Sequence, residues 1–433
     1  MYFEPNTQSS HAYKKVQQNE YKKAKTGNSP TEWTVYQMKD LYTERKEPGN
    51  EELPVLSVSI HDGISDDELD EDELGKKIRR IADKSEYKQV KPGDLVFNMM
   101  RAWQGAIGVV KAEGMVSPAY IVATPNDKVY PPFMDYYMKT PRMIGIINRQ
   151  SYGVTDFRKR LYWDSFSPIS CAIPSIVEQQ RISEILTLQD RIIELKEKLI
   201  TEKQQQKKYL MQQLLTGKKR FLKFTYDWEY MPFSEIFSFL PTNTLARDSL
   251  STNTGSVLNI HYGDILTKYP EVLKVADAQV PYVKPEAQAT ITACVKDGDL
   301  IIADTAEDLT VGKAVEIQDS KGKSIASGLH TILCRPRKDL FVSGWLGYYI
   351  NSYAYRKQLL PLICGIKVSS ISKKEIIKTI IAVPNKEEQK AIVDVFSVID
   401  AELVLLQKEL AHEKQKKKAL MQLLLTGIVR VNK

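Results

Sequence analysis

The chain has 433 residues, 42% hydrophobic and 27% charged, which is an ordinary globular balance with room for roughly two to four domains. No apolar run approaches the ~18–20 residues of a membrane span, and the polar first 30 residues do not read as a secretory signal. The four cysteines and five histidines are scattered, which argues against a disulfide framework or a metal site and favours the reducing cytoplasm. The net charge of +7 is compatible with a polyanionic partner.

A first globular domain is expected over residues 31–172, after a polar N-terminal extension at 1–30. Within it, Gly93-Asp94-Leu95 is typical of a turn that leads into a strand. The apolar stretches on either side of residues 99–105 predict a hairpin, whose tip carries Arg101, Trp103 and Gln104. Short strands in 114–124 and a short helix at 132–140 complete a mixed α/β domain.

Residues 173–220 and 383–433 contain two copies of one long helix, aligned without gaps at an offset of 210 residues. Pro174 and Pro384 precede the two helical patterns, where proline is tolerated. Gly217 and Gly427 follow the last apolar residues, where a left-handed cap is expected. About 42 residues at ~1.5 Å each predict a rod of about 60 Å.

Apolar residues at alternating steps of four and three predict a coiled-coil seam on each helix. On the second helix the seam is assigned to Ile392, Phe396, Ile399, Leu403, Leu406, Leu410, Leu420 and Leu424. On the first helix it is assigned to Ile185, Leu188, Ile192, Leu195, Leu199, Leu210 and Leu214. Each seam has a polar interval, at 202–208 and 413–418, which can fix the register.

The second globular domain, residues 221–382, is a diverged copy of the first. Glu32-Trp33 corresponds to Asp227-Trp228 at an offset of 195, and the Gly-Asp-Leu turn recurs at 298–300 at an offset of 205. A short helix is expected at 345–353. The fold class is therefore α/β (α+β): two mixed domains separated by two long helices, which can pair as an antiparallel coiled coil about a pseudo-two-fold axis.

No catalytic signature occurs in the sequence. There is no phosphate-binding Gly-rich loop, no nucleophile elbow and no paired cysteine motif. The nearest string to a methyltransferase motif, Tyr130-Pro131-Pro132-Phe133, begins with tyrosine and lacks the amide or carboxylate that would hold an amino group. We assign no catalytic residue and interpret the chain as a binding protein.

Basic and aromatic residues in both domains are the candidates for contacts with nucleic acid, because Lys and Arg bind phosphates and Arg and Gln read purine edges. A single charge cluster is usually only a solvated surface, so these assignments depend on the clusters together. In the first domain they are Lys76, Lys77, Arg79, Arg80, Arg101, Trp103, Gln104, Tyr152, Arg158, Lys159 and Arg160. In the second they are His261, Tyr262, Lys268, Lys313, Lys323, Arg356, Lys357 and Lys367.

The order domain, long helix, domain, long helix resembles the specificity subunits of type I restriction–modification systems. The resemblance covers nearly the whole chain after residue 30. The strings that carry it are the hairpin at 93–106, Val-Ser-Pro-Ala-Tyr at 116–120, the helix starts at 174–179 and 384–389, the Leu-Leu-Thr-Gly helix ends, and His-Tyr-Gly-Asp-Ile at 261–265.

This resemblance implies two target recognition domains (31–172 and 221–382) that each read one half of a bipartite, asymmetric double-stranded DNA site. The conserved helices (173–220 and 383–433) would set the spacer and dock two modification subunits. It also implies that this chain holds no cofactor. S-adenosylmethionine would belong to the modification subunits, and ATP and Mg to the restriction subunits.

Two alternatives remain open from the sequence. One is a coiled-coil scaffold that binds proteins without DNA specificity. The other is an enzyme with an unrecognised active site.

Overall fold

The computed structural model describes residues 13–15, 21–24, 27–50, 52–60, 63–68, 84–153, 158–253, 255–290, 292, 294–337, 339–365 and 367–431. Two compact units are formed, each from one globular domain and parts of both long helices. Unit 1 takes its described residues from Met1–Glu197 and Lys408–Lys433, and unit 2 is Lys198–Gln407.

The strands and helices are numbered along the chain. The strands are β1 Tyr13–Lys15, β2 Tyr21–Ala24, β3 Gly27–Pro30, β4 Thr34–Gln37, β5 Tyr42–Arg45, β6 Leu56–Ser59, β7 Gly63–Glu68, β8 Lys88–Val90, β9 Leu95–Asn98, β10 Ile107–Val109, β11 Gly114–Val116, β12 Tyr120–Pro125, β13 Ser170–Ile173, β14 Glu229–Pro232, β15 Phe237–Leu240, β16 Leu250–Ser251, β17 Val257–Ile260, β18 Val272–Lys274, β19 Tyr282–Val283, β20 Leu300–Ala303, β21 Thr305–Ala306, β22 Ala314–Gln318, β23 Ser324–Ser327, β24 Thr331–Pro336, β25 Ser369–Ser370, β26 Ile380–Val383 and β27 Val429–Val431. The α-helices are α1 Pro131–Met138, α2 Pro141–Gln150, α3 Trp163–Phe166, α4 Ile176–Leu214, α5 Phe233–Ile236, α6 Tyr262–Thr267, α7 Trp345–Asn351, α8 Tyr353–Leu359, α9 Lys373–Ile376 and α10 Lys386–Leu425.

Unit 1 is built on an antiparallel sheet with strand order β10-β9-β12-β5. Strand β9 is buried along its whole length, and Phe97 packs against Phe166 with ring centroids 4.7 Å apart. Helices α1 and α2 contribute Phe133, Met143 and Ile147 to the same core. The predicted hairpin forms, because β9 and β10 pair antiparallel on either side of a short 3-10 turn at Ala102–Gln104.

Unit 2 repeats this arrangement on a five-stranded main sheet. Its main sheet has the order β15-β24-β20-β22-β18, and a second sheet has the order β16-β19-β17-β23. The buried pair β20 and β24 corresponds to β9 and β12 of unit 1, since both pairs are antiparallel and follow the same Gly-Asp-Leu turn. The mixed α/β fold predicted for both domains is confirmed.

Within each unit the two long helices pack antiparallel, as predicted. In unit 1, Gln189 of α4 donates to the Glu413 carboxylate at 2.7 Å, and Lys196 lies 2.6 Å from Glu409. In unit 2, Lys203 lies 2.8 Å from Glu402. Partner numbers fall on α10 as they rise on α4, which is the antiparallel direction. Gly217 and Gly427 have φ of 69° and 71°, the left-handed caps predicted from the sequence.

The seam assigned to the second helix is confirmed. The seam assigned to the first helix is wrong from Ile185 to Leu199 and correct at Leu210 and Leu214. Leu188, Leu195 and Leu199 are 63%, 48% and 38% exposed. The positions 210 residues before the α10 seam hold buried or partly buried side chains on α4: Ile182, Leu186, Gln189, Ile193, Lys196, Ile200, Leu210 and Leu214. Lys203 and Lys207 form ion pairs with α10 in the interval between Ile200 and Leu210. Four of these residues are polar, so a search for apolar spacing selected the neighbouring face of leucines.

A buried carboxylate fastens the start of each long helix in the same way. Glu178 of α4 accepts two hydrogen bonds from Arg430, both at 2.6 Å. In unit 2, Glu388 of α10 accepts two from Arg220, both at 2.8 Å, and one from the indole of Trp228 at 3.0 Å. Since each arginine follows the end of the other helix, each bidentate pair joins the start of one helix to the end of its partner.

The next residue in each copy attaches the helix to its globular domain. The amide of Gln179 donates to the carbonyls of Lys128 and Pro174 and accepts from the N–H of Tyr130. Gln389 makes the same three bonds, to Leu340, Pro384 and Val342. A buried amide with both ends satisfied fixes where the domain sits on its helix.

The polar interval of each seam contains a lysine that joins helix, helix and domain. Lys207 lies 2.7 Å from both Asp400 of α10 and Glu271 of the unit 2 domain, and 5.4 Å from the ring centre of Tyr348. In unit 1, Lys417 is ion-paired with Asp190 and lies 5.8 Å from the ring centre of Tyr136. The two lysines are equivalent at the 210-residue offset.

The N-terminal extension contributes strands to unit 1. Strand β1 pairs antiparallel with β27, the last strand of the chain. Strands β2 and β3 pair with each other. The extension thus includes regular backbone structure that its polar composition did not predict.

Removing the arginine of the unit 1 pair is expected to destabilise that unit. Arg430→Ala leaves the buried Glu178 carboxylate without its bidentate partner, which costs about 3–5 kcal/mol of unfolding free energy. Urea denaturation followed by circular dichroism measures the loss. Arg191→Ala is the matched control, because Arg191 pairs with Glu194 on the exposed helix surface and its loss is expected to cost less than about 1 kcal/mol. Equal effects of the two substitutions would contradict the assignment.

Glu316 is a buried carboxylate beneath the start of α7. It accepts a hydrogen bond at 2.8 Å from the N–H of Gly347 and another from Gly344. Burial raises the pKa of Glu316 to about 7, because desolvation of the anion outweighs these donors.

A pH-dependent stability follows from this carboxyl group. Its folded-state pKa of about 7 lies above the ordinary value of 4.5, so folding favours the protonated form. The stabilisation is therefore complete below about pH 4.5 and is lost as the pH rises to about 7, by roughly 3 kcal/mol. Glu316→Gln removes the titration, so the difference in unfolding free energy between wild type and variant should change across this window. A difference that stays constant with pH would refute the shift.

Candidate nucleic-acid interface

Loops gather at one end of the main sheet in unit 1. The end of β9 lies beside the start of its antiparallel neighbour β12. There the N–H of Met99 donates to the carbonyl of Ala119 at 3.1 Å. A third segment joins them, since the N–H of Leu161 donates to the carbonyl of Met99 at 2.8 Å. We call residues 99–105, 117–119, 152–153 and 158–160 the loop end of unit 1.

The hairpin tip and the third segment bring several sequence-predicted residues together. The Lys159 ammonium lies 6.0 Å from the ring centre of Trp103 and 3.3 Å from the amide oxygen of Asn148. Tyr152 pairs with Arg160 through the backbone. Seven of the residues predicted in the first domain lie at this loop end: Arg101, Trp103, Gln104, Tyr152, Arg158, Lys159 and Arg160.

Unit 2 has the same frame at the same end of its sheet. The N–H of Asp304, directly after β20, donates to the carbonyl of His330 at 3.1 Å. The N–H of Ile371 donates to the carbonyl of Asp304 at 2.9 Å, and Cys364 and Ser370 pair through the backbone. The parallel strands β17 and β23 also end here. The loop end of unit 2 comprises residues 261–263, 304–313, 328–330, 364–365 and 367–370.

His261 and Tyr262 lie at this loop end, where they form an aromatic cluster. Their ring centroids are 4.6 Å apart, and Tyr262 meets His330 edge-on at 5.3 Å. Burial, with a smaller contribution from Arg247, lowers the pKa of His261 and favours the neutral ring. Its Nδ1 accepts the N–H of Gly263 at 3.2 Å, which places the ring at the start of α6.

Lys268 belongs to an ion cluster beside the aromatic residues. Its ammonium lies 2.8 Å from the Asp264 carboxylate, which is also paired with Arg247. Desolvation raises the pKa of Asp264, but the hydrogen bonds from Arg247 and Lys268 outweigh it and hold that pKa below its ordinary value. The paired carboxylate offsets part of the positive charge at this point.

Three other predicted cations donate to backbone carbonyls within unit 2. Lys313 donates to the carbonyls of Leu266 and Tyr269 at 3.1 and 3.2 Å. Arg356 holds the loop after β20 through the carbonyls of Val311 and Leu309. Lys323 donates to the carbonyl of Val275 at 2.8 Å and follows β22, at the opposite end of the sheet from His330.

The remaining predicted residues divide between exposed positions and undescribed ones. Lys367 is exposed at the loop end of unit 2, and Lys357 is exposed on α8. Lys76, Lys77, Arg79 and Arg80 lie outside the residues that the structure describes.

The described part of the chain has no metal-binding cluster and no membrane-spanning helix. No group of three His, Cys, Asp or Glu side chains there is placed to hold a metal ion. None of the helices described has both the length and the apolar character of a membrane span.

The comparisons with known proteins agree with this architecture. Residues 226–413 match the family model of the type I restriction modification DNA specificity domain. The type I restriction enzyme MjaVIII specificity subunit of Methanocaldococcus jannaschii is 24% identical, over 93% of this chain and 94% of that protein. The putative MjaX specificity subunit of the same organism is 23% identical, over 95% and 97%.

Solved structures share the fold. A chain from a structure that concerns assembly and conformational transition of the type I R-M system has a TM-score of 0.57 at 17% identity, and covers 92% of this chain and 99% of that one. The type I S subunit from M. genitalium has a TM-score of 0.50 at 13% identity, and covers 90% and 96%.

Residues 226–413 therefore match the type I restriction modification DNA specificity domain, and the chain is similar along nearly its whole length to type I restriction enzyme specificity subunits. The resemblance drawn from the sequence is confirmed, and a protein-binding scaffold without DNA specificity is not supported. The two loop ends of this chain are the candidate recognition surfaces, because they combine exposed cations, aromatic rings and hydrogen-bonding side chains on one repeated backbone frame.

Sequence reasoning missed three residues of the unit 2 loop end: Asp304, Thr305 and His330. A signal for part of the site was present. Ile60-His61-Asp62-Gly63 and Ile260-His261-Tyr262-Gly263 share the pattern Ile-His-x-Gly at an offset of 200, between the offsets of 195 and 205 on either side. This match marks the end of β17 as a repeated feature. No comparable pattern marks His330, whose counterpart by backbone contact is Ala119.

Proposed function

We propose that this subunit gives a type I restriction–modification complex its DNA sequence specificity, with each loop end reading one half of a bipartite, asymmetric double-stranded DNA site. The supporting observation is that two units with the same backbone frame carry different side chains at the same end. Different polar side chains on base edges select different bases. The two half-sites should therefore differ.

The long helices are proposed to set the spacer between the half-sites and to dock two modification subunits. Support comes from the repeated attachments at Gln179 and Gln389, which hold each domain on its helix in the same manner. If each domain is attached at a fixed point of a stiff helix, the length of the helix determines the spacing between the two half-sites.

The chain is proposed to carry no catalytic step itself and to act in the cytoplasm. Methyl transfer from S-adenosylmethionine is assigned to the modification subunits, and ATP- and Mg-dependent cleavage to restriction subunits. The residues of this chain bind and orient DNA. This division of roles rests on the family and on the lack of catalytic motifs in the sequence.

Replacing the first recognition domain tests modular reading. The chain is produced with its modification subunits, and methylated adenines are mapped along a genome. Exchange of residues 31–172 for the equivalent domain of a relative should change one half of the methylated sequence and leave the other half and the spacer intact. Changes in both halves would contradict independent reading. As a control, the chain alone with DNA and S-adenosylmethionine should transfer no methyl group; transfer without a partner would overturn its non-catalytic role.

Phosphate contacts at the loop end predict a defined salt response. Lys367→Ala should weaken binding of the methyltransferase complex to DNA and lower the slope of log affinity against log salt by about 0.9, because one phosphate contact is lost. Lys323→Ala is the matched control, since Lys323 donates to Val275 at the opposite end of the same sheet. Fluorescence anisotropy across a salt series measures both. Equal slopes for Lys367→Ala and wild type would exclude Lys367 from the interface.

A further inference from the structure

The loop end of unit 2 presents a polar cluster that the frame of unit 1 does not repeat. His330 Nδ1 lies 3.2 Å from the Thr305 hydroxyl and 3.4 Å from the Asp304 carboxylate. The same hydroxyl donates to Asp304 at 2.8 Å. By backbone contact the counterparts of Asp304 and His330 in unit 1 are Met99 and Ala119. The backbone is thus shared, while the hydrogen-bonding groups are specific to unit 2.

His330 holds an unusual backbone conformation. Its φ is 53°, in the left-handed region where glycine is favoured. A bulky side chain in that region is retained where the surrounding structure fixes it, often at functional sites. Here the fixing contacts are the bond from Asp304 to the His330 carbonyl and the edge of the Tyr262 ring.

The cluster is accessible and can exchange hydrogen bonds. The side chain of His330 is about half exposed, and Thr305 and Tyr262 are partly exposed. Because Nδ1 is engaged by Thr305 and Asp304, contact with a ligand would be made by Nε2. An imidazole nitrogen, a phenol and a hydroxyl can each donate or accept at a base edge, whereas lysines at phosphates carry no sequence information.

We infer that His330, with Thr305 and Tyr262, reads base edges in the half-site of unit 2 and is a specificity-determining residue of this subunit. The inference rests on the proposed function. Asp304 acts as a positioning residue, because it holds the imidazole through Nδ1 and the backbone through its own N–H.

The test uses the full methyltransferase complex and maps methylated adenines genome-wide. His330→Gly removes the ring and suits the positive φ, so the loop keeps its conformation. It should relax discrimination at one or two base pairs of one half-site by roughly tenfold or more and leave the other half unchanged. Thr305→Val, which is similar in shape and lacks the hydroxyl, should weaken discrimination at the same positions.

Asp319→Gly is the matched control. Asp319 also has a positive φ, of 55°, and follows β22 at the opposite end of the sheet, so this substitution makes the same backbone change away from the cluster. It should leave the methylated sequence as in wild type.

The outcomes separate the inference from the proposed function. If wild type methylates a bipartite site and both His330→Gly and Thr305→Val retain that sequence, the inference is overturned and the proposed function stands. Relaxation of both halves would also overturn it, since the cluster would then act on general affinity. If the wild-type complex selects no sequence, the proposed function fails and the inference fails with it.

Discussion

The buried carboxylate at the start of each long helix is the interaction on which the two units depend. Glu178 and Glu388 are removed from water, and in each case a bidentate arginine offsets the cost of burying the charge. Each arginine belongs to the chain that follows the partner helix. The end of one helix is therefore held at the start of the other, and the adjacent glutamine holds the globular domain. These contacts therefore fix the position of the loop end in each unit.

Polar residues along the seam give the helix pair its register. A wholly apolar stripe would allow neighbouring registers at similar energy, whereas Lys207 meets Asp400 and Glu271 in a single alignment. Burial lowers the pKa of this lysine, yet the two carboxylates outweigh that effect and hold its pKa above the ordinary value, which keeps it charged. The polar interval noted in the sequence is thus a specific ionic contact.

The repeat predicted most of the fold, and its limits explain the errors. The second seam was correct because apolar residues occupy its first six positions. The first half of the first seam was wrong because Gln189 and Lys196 stand at seam positions while Leu188 and Leu195 lie on the exposed side. The 210-residue offset, applied position by position, identifies the correct face. Pairing across space was beyond the sequence: nothing in the spacing of Arg220 and Glu388 predicts their contact.

The sequence predicted residues of the candidate site only where they are charged or belong to a repeated motif. Basic residues are predicted as DNA contacts because of their charge. Lys313 and Arg356, however, donate to backbone carbonyls within unit 2. His330 carries neither a charge run nor a repeated motif, and it comes near Tyr262 only because β17 and β24 reach the same end of the unit. A frame fixed by backbone hydrogen bonds lets its side chains change without altering its shape. The side chains at positions such as 119 and 330 can therefore differ while Gln179 and Gln389 hold both domains in the same way.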